Sequence, residues 1–110
     1  MTALCEAIEA RCAGILCSVV AVDRAGLLAP VAGPSIPQDL STVIASMPIG
    51  PLVGSCGAAA YFNEPVAAID IASDPRWDIA RDVAARHDLV ACWSSPINDN
   101  NGRVLGALAF

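Results

Sequence analysis

The stretch Ala91-Cys92-Trp93-Ser94-Ser95-Pro96-Ile97-Asn98-Asp99-Asn100-Asn101-Gly102-Arg103-Val104-Leu105-Gly106 decides the fold. Residues 89–97 read as a strand, 98–102 carry the Asn, Asp and Gly residues of a tight turn, and 103–110 read as the partner strand. Alternation puts Val90, Cys92, Ser94 and Pro96 on one face, and Ala91, Trp93, Ser95 and Ile97 on the other. A thiol and a hydroxyl on one face read as pocket lining, whereas Trp93 reads as packing.

Working outward, a second hairpin is expected near the start, where the apolar runs 15–22 and 27–32 flank Asp23-Arg24-Ala25-Gly26. Before it, Cys5, Ile8 and Cys12 at helical spacing predict a short helix over 2–12, with Thr2 as its cap and an end near Gly14. Between the hairpins, Leu40, Val43, Ile44 and Met47 form the stripe of another helix, which Pro48, Gly50 and Pro51 stop. The glycine-rich segment 50–57 then leads into an Ala-rich helix that Ser55 is placed to cap. Residues 65–72 predict a strand with Val66, Ala68 and Asp70 on one side. Asp74-Pro75 predicts a helix start, a carboxylate cap followed by a proline that gives up no hydrogen bond there, and the helix is expected to reach about His87. Hairpins at both ends and helices in the middle argue for an α+β fold on a largely antiparallel sheet.

Composition removes several function classes. The 110 residues suit one domain over 1–110, and 55% hydrophobic content is too apolar for a disordered tail. No apolar run reaches the roughly 18 residues of a membrane span, so no membrane insertion is expected. The six basic residues are all Arg, and against eleven acidic ones they leave a net charge of −5, which argues against nucleic acid as a partner. Five cysteines are an odd count with no C-x-x-C pair, so neither a disulfide scaffold nor a zinc site is expected. Glu6 and Glu9 in the opening segment do not suit a secretory signal, and a cytoplasmic location follows as the expectation. Segment 50–57 lacks the lysine of a phosphate loop. His87 is the only histidine and has no partner ligand in view, so no metal and no other cofactor is expected.

Taken in order, Gly50-Pro51-Leu52-Val53-Gly54-Ser55-Cys56-Gly57-Ala58-Ala59, Pro65-Val66, Asp70-Ile71, Asp74-Pro75-Arg76-Trp77, Ala91-Cys92-Trp93-Ser94-Ser95-Pro96-Ile97 and Gly102-Arg103-Val104-Leu105-Gly106 resemble a GAF domain. The likeness runs from about Cys12 to Phe110 and is nearest to bacterial modules found with diguanylate cyclase, phosphodiesterase or histidine kinase outputs. It implies a central antiparallel sheet with helices on both sides and a small-molecule pocket roofed by the middle segments. It also implies a covalently linked output domain reached through terminal helices. The closing helix usual in the family is incomplete here, so apolar surface on the back of the sheet is expected to associate, giving a homodimer.

Trp77 and Arg81 stand four apart and would project from one helix face, offering a stacking surface and a fixed cation. The alternative is that Trp77 anchors the core and Arg81 pairs with Asp78 or Asp82. With Cys56, Asp70, Cys92 and Ser94, they make the expected ligand-binding set, and no catalytic residue is assigned. Bilin attachment in GAF domains commonly uses a Cys-His pair, which is missing here, and the cyclic-nucleotide signature requires a Lys that the chain lacks. The enzymatic rival is a free methionine-(R)-sulfoxide reductase, a GAF enzyme whose Gly-x-Cys-Gly segment is matched by Gly54-Ser55-Cys56-Gly57. In that reading Cys56 and Cys92 would carry the thiol chemistry. Against it, Cys92 falls on a strand and residues 91–95 hold none of that family's acidic substrate-binding residues.

Overall fold

The computed structural model describes residues 2–12, 15–33, 35–45 and 47–109; the Thr2 side chain, Gly14 and Phe110, to which the sequence assigned a helix cap, a helix end and a strand end, lie outside the described part. Its five strands, β1 (Ser18–Val22), β2 (Leu28–Ala32), β3 (Val66–Ala68), β4 (Cys92–Asn98) and β5 (Val104–Ala109), form one sheet in the order β2-β1-β5-β4-β3. Every pairing is antiparallel. The two hairpins are joined at the centre by β1 and β5, with Val20 opposite Ala107 and Ser18 opposite Ala109. The β4–β5 turn closes as its composition predicts: the Asp99 carboxylate accepts from the Asn101 and Arg103 amides, and Gly102 takes the positive φ of 80°.

Helices cover both faces. On the back, α1 (Thr2–Arg11) sets buried Cys5, with Ile8, against Cys17, Val19, Ile97 and Leu108. Glu9 fastens this helix, accepting from the Cys17 amide at 2.8 Å and from the Ser35 hydroxyl at 2.8 Å. On the front, α3 (Gly54–Phe62) crosses β3, β4 and β5, and α2 (Gln38–Ile44) packs near β2 and α4 (Arg81–Arg86). Ala58 and Ala59 are fully buried and pack with Val66, so small side chains let α3 lie close to the sheet. The main core sits between α2, α4 and the sheet: Leu40, Ala68, Ile71, Trp77, Ala80, Val83 and Ala84.

Three expectations need correction. The strand predicted over 65–72 is only Val66–Ala68, because Arg76 reaches the open sheet edge and donates to the Ala67 carbonyl at 2.9 Å, while the Ser73 and Asp74 amides fold back onto the Asp70 carbonyl. Ile69 is consequently 86% exposed and Ile71 turns into the core. The helix expected from Asp74 to His87 divides into a 3₁₀ turn (Pro75–Trp77) and α4. Asp74 does cap it, accepting from the Arg76 amide, but the bonds then run from Asp78 to Pro75 and from Ala80 to Trp77. This three-residue winding stacks Trp77 and Ala80 on the buried side, a register that 3.6-residue winding would spread. Finally, Ser55 lies inside α3 and Val53 is its cap residue, with no side-chain cap bond.

The β1–β5 junction is the tightest point of the sheet: a Cβ on Gly106 would stand 2.2 Å from the Val20 carbonyl oxygen. Backbone cannot yield as a side-chain tip can. Gly106→Ala is expected to destabilise the domain by about 1–3 kcal/mol, read as a lower urea midpoint. An unchanged midpoint would show that β1 and β5 approach less closely.

Candidate functional site

The site begins at the first turn of α3. Gly54, at a φ of 59°, bends the chain so that Ser55 and Cys56 face the sheet, where β4 presents Cys92 and Ser94 by its alternation. The Trp77 indole, only 7% exposed, donates from Nε1 to the Ser55 hydroxyl at 3.0 Å. Ser94 is fully buried, and its hydroxyl lies 3.3 Å from Cys56 Sγ and 3.8 Å from Cys92 Sγ. Two thiols therefore converge on one hydroxyl, beside a tryptophan held by a second.

This seam lines a small void of about 60 Å³ beneath α3, bounded also by Ser18, Leu28 and Val53. Leu40, Trp77, Cys92 and Ala109 form part of its wall and also of a larger neighbouring cleft of about 340 Å³. The cleft is otherwise walled by Ile15, Leu16, Ile36, Ile71 and the connector 88–91. Its roof is clasped from outside: Asp39 of α2 accepts from His87 Nε2 at 2.9 Å and stands 3.8 Å from Arg86 Nη2. The hydrogen bond from His87 holds the Asp39 carboxyl below its ordinary range.

Both site thiols are driven toward the neutral form. Burial pushes Cys56 up to about 12, outweighing the hydrogen bond with Ser94. Burial raises Cys92 as well, against hydrogen bonds with Ser94 and Ser55. At neutral pH both are thiols, and a thiol is a poor nucleophile compared with its thiolate.

Of the six residues assigned from sequence, Cys56, Trp77, Cys92 and Ser94 come together here. Asp70 does not: it is exposed beyond the end of β3, where it accepts from the Ser73 hydroxyl at 2.9 Å. Arg81 is also outside, since its Nη2 donates to the Asp74 carbonyl at 2.8 Å and pairs with Asp78 at 2.5 Å. The division of the predicted helix parts Trp77 from Arg81, which form no common platform. Sequence reasoning missed Ser55 as the indole's acceptor, and it missed the aliphatic wall at 15–16 and 89–91. Those residues carry no signal beyond being apolar next to a strand. Among the described residues no group of three or more metal-ligating side chains gathers, and His87 is occupied by Asp39.

A five-stranded antiparallel sheet with helices on both faces and a cleft beneath the middle segments is the architecture that the sequence motifs implied. The chain matches the GAF domain family over residues 1–110. It belongs to that family. A methyl sulfide methyltransferase-associated sensor of Methanosarcina acetivorans is 34% identical over 98 residues, which are 88% of this chain and 10% of that protein. The chain thus spans about a tenth of the length of this relative. Among solved structures, a domain of a putative two-component sensor histidine kinase from Sinorhizobium meliloti superposes with a TM-score of 0.73 at 16% identity, covering 97% of this chain and 66% of that one. The type II free methionine-R-sulfoxide reductase of Thermoplasma acidophilum gives 0.77 at 17%, covering 99% and 69%. At these identities the structural likenesses concern the fold. No helix among the described residues is long and apolar enough to cross a membrane.

Two outcomes test the site. Ser55→Ala strands the buried Trp77 N–H and is expected to cost about 1–3 kcal/mol in urea unfolding; a neutral result would mean the indole has another acceptor. Because the Cys56 thiol is raised on folding, the stability tied to its protonation is complete below its ordinary value of 9.0 and drains away as pH rises toward about 12. Cys56→Ala should therefore lose less stability than wild type between about pH 9 and 11. Parallel losses in the two proteins would mean that the thiol is solvated.

Proposed function

We propose that this GAF domain is a non-catalytic sensory module of a signal-transduction protein. In this reading it binds a small molecule in the cleft over the sheet and passes the binding state to a linked output domain through its terminal helices. The observation that carries the proposal is the cleft itself: a formed, largely apolar space under α2 and the 88–91 connector, with Trp77 and Cys92 in its wall. The similarity to a sensor supports a regulatory role, and the tenth of that sensor covered here suits one module of a longer chain. Signalling then is a population shift, which requires that the ligand bind one arrangement of the terminal helices more tightly than the other. The output type, a histidine kinase or a cyclic-di-GMP enzyme, and a cytoplasmic setting belong to this proposal.

Association as a homodimer belongs to it too. Helix α1 covers Cys17, Val19 and Ile97 on the back of the sheet, but Trp93, two pleats from Ile97 on the same face, is 55% exposed. An exposed tryptophan on the face that α1 leaves uncovered is the feature that favours a partner there.

A second reading rests on one observation, the convergence of Cys56 and Cys92 on Ser94 in a fold shared with a methionine sulfoxide reductase. Half-buried thiols held in the neutral form and the lack of carboxylates at 91–95 weigh against it. In an assay that couples free methionine-(R)-sulfoxide reduction to thioredoxin and NADPH oxidation, we expect only background turnover. A rate above background that Cys92→Ser abolishes would replace the sensory reading with the enzymatic one.

A further inference from the structure

We infer that the ligand of the cleft is a small, uncharged and largely apolar molecule, an inference that rests on the sensory reading above and narrows it to a chemical class. The wall is supplied by Ile15, Leu16, Ile36, Leu40, Ile71 and Leu89, with Trp77 as its aromatic surface. No arginine reaches it. Arg81 gives Nη2 to Asp78 and the Asp74 carbonyl and, with its buried Nε unpartnered, lies outside the cleft lining; Arg76 is taken by Asp74 and the Ala67 carbonyl, and Arg86 lies on the outer surface beside Asp39. Arg11, Arg24 and Arg103 are exposed at the end of α1 and in the two hairpin turns, and the chain has no lysine.

Among the described residues, the one side-chain carboxyl in the wall is Asp88, exposed at the rim and held at a φ of 58°. An anion entering this space would give up hydration with no cation among the described lining residues to meet it and would pass a negative rim, and burying an unpaired charge in apolar surroundings is strongly unfavourable. A cation gains only from the exposed Asp88, where solvent screens the attraction. A neutral apolar molecule loses nothing comparable and removes both its own surface and the aliphatic wall from water. At about 340 Å³ the cleft lies at the low end of small-molecule pockets, roughly 300–1,000 Å³, which restricts the ligand to a small one. The polar seam at its inner end is already engaged: the Ser55 hydroxyl holds Trp77, and the Ser94 hydroxyl lies against both thiols. Specificity in this cleft comes from shape.

Benzyl alcohol, benzoate and benzylamine share one ring and differ in charge, so they separate the class from the site. In amide-resolved NMR titrations we expect benzyl alcohol to shift signals of residues 36, 40, 71 and 89 saturably, with benzoate at least ten-fold weaker and benzylamine weaker than benzyl alcohol. Leu40→Trp fills the cleft and should weaken benzyl alcohol by ten-fold or more. Ile36→Trp, nearer the rim, serves the same purpose where Leu40→Trp does not fold. Benzoate or benzylamine binding as tightly as benzyl alcohol, still lost on filling, would overturn the neutral class and leave the sensory cleft standing. Shifts that persist in a folded, filled variant, or a cleft unresponsive to every probe, would overturn the cleft as a ligand site.

Discussion

The hydrogen bond between the Trp77 indole and the Ser55 hydroxyl is the contact on which the front half of this domain depends. An indole of this size can be buried only if its N–H finds an acceptor, and the interior between helices and sheet offers few. Ser55 supplies one because α3 begins at Gly54, so its first turn lies over the sheet instead of ahead of it. With the indole fixed there, the chain winds tightly from Asp74 to Ala80, and α4 starts only at Arg81. Trp77 then becomes the partition between the void beneath α3 and the larger cleft. The polar contact is a single bond, but it sets the position of the cleft wall.

The two faces of the sheet solve different packing problems. On the front, alanines on α3 and the small residues Ser94, Ala107 and Ala109 on the strands let the helix approach closely, and the space that remains lies to one side under α2. On the back, the shorter reach of Cys5 and Cys17 brings α1 against β1, and Glu9 turns its carboxylate to the Cys17 amide at the strand's entry. Burial beside the Cys5 thiol raises the Cys17 thiol in turn, so this pair acts as small apolar filling. All five cysteines are free: Cys5 and Cys17 fill the back core, Cys56 and Cys92 line the candidate site, and Cys12 is exposed.

Much of this was legible in the sequence, for reasons that can be named. The Asn-Asp-Asn-Asn-Gly turn, the helical stripe at Leu40, Val43 and Ile44, and the Asp74-Pro75 cap are local signals, and local chemistry decided them. The pleat alternation of β4 placed Cys92 and Ser94 on the site face because it depends only on backbone geometry. Two of the failures depended on contacts that no local pattern records. Ser55 had the composition of a cap, yet its acceptor is claimed by an indole 22 residues away. Strand β3 had the apolar pattern to continue, yet its edge carbonyl is taken by Arg76. Arg81 had the spacing to join Trp77, but the alternative read from the same sequence is the one found: Trp77 anchors the core, and Arg81 pairs with Asp78 three residues away and donates to the Asp74 carbonyl.

The position of the cleft relative to α1 bears on how such a domain transmits anything. Ile15 and Leu16 line the cleft on the front, and the next residue, Cys17, is buried against Cys5 of α1 on the back. Its amide is the donor to Glu9. Only one peptide link therefore separates a residue that a ligand would touch from one that fastens the N-terminal helix. Leu16 leads into β1, which is hydrogen-bonded on both sides and lies against Gly106 at Val20, so the strand offers little room to take up a displacement of Leu16. In the sensory reading proposed above, the shortest route for it is to Cys17 and through the Glu9 carboxylate to α1. In that reading, this close packing on the back of the sheet is what would make α1 sensitive to occupancy of the front cleft.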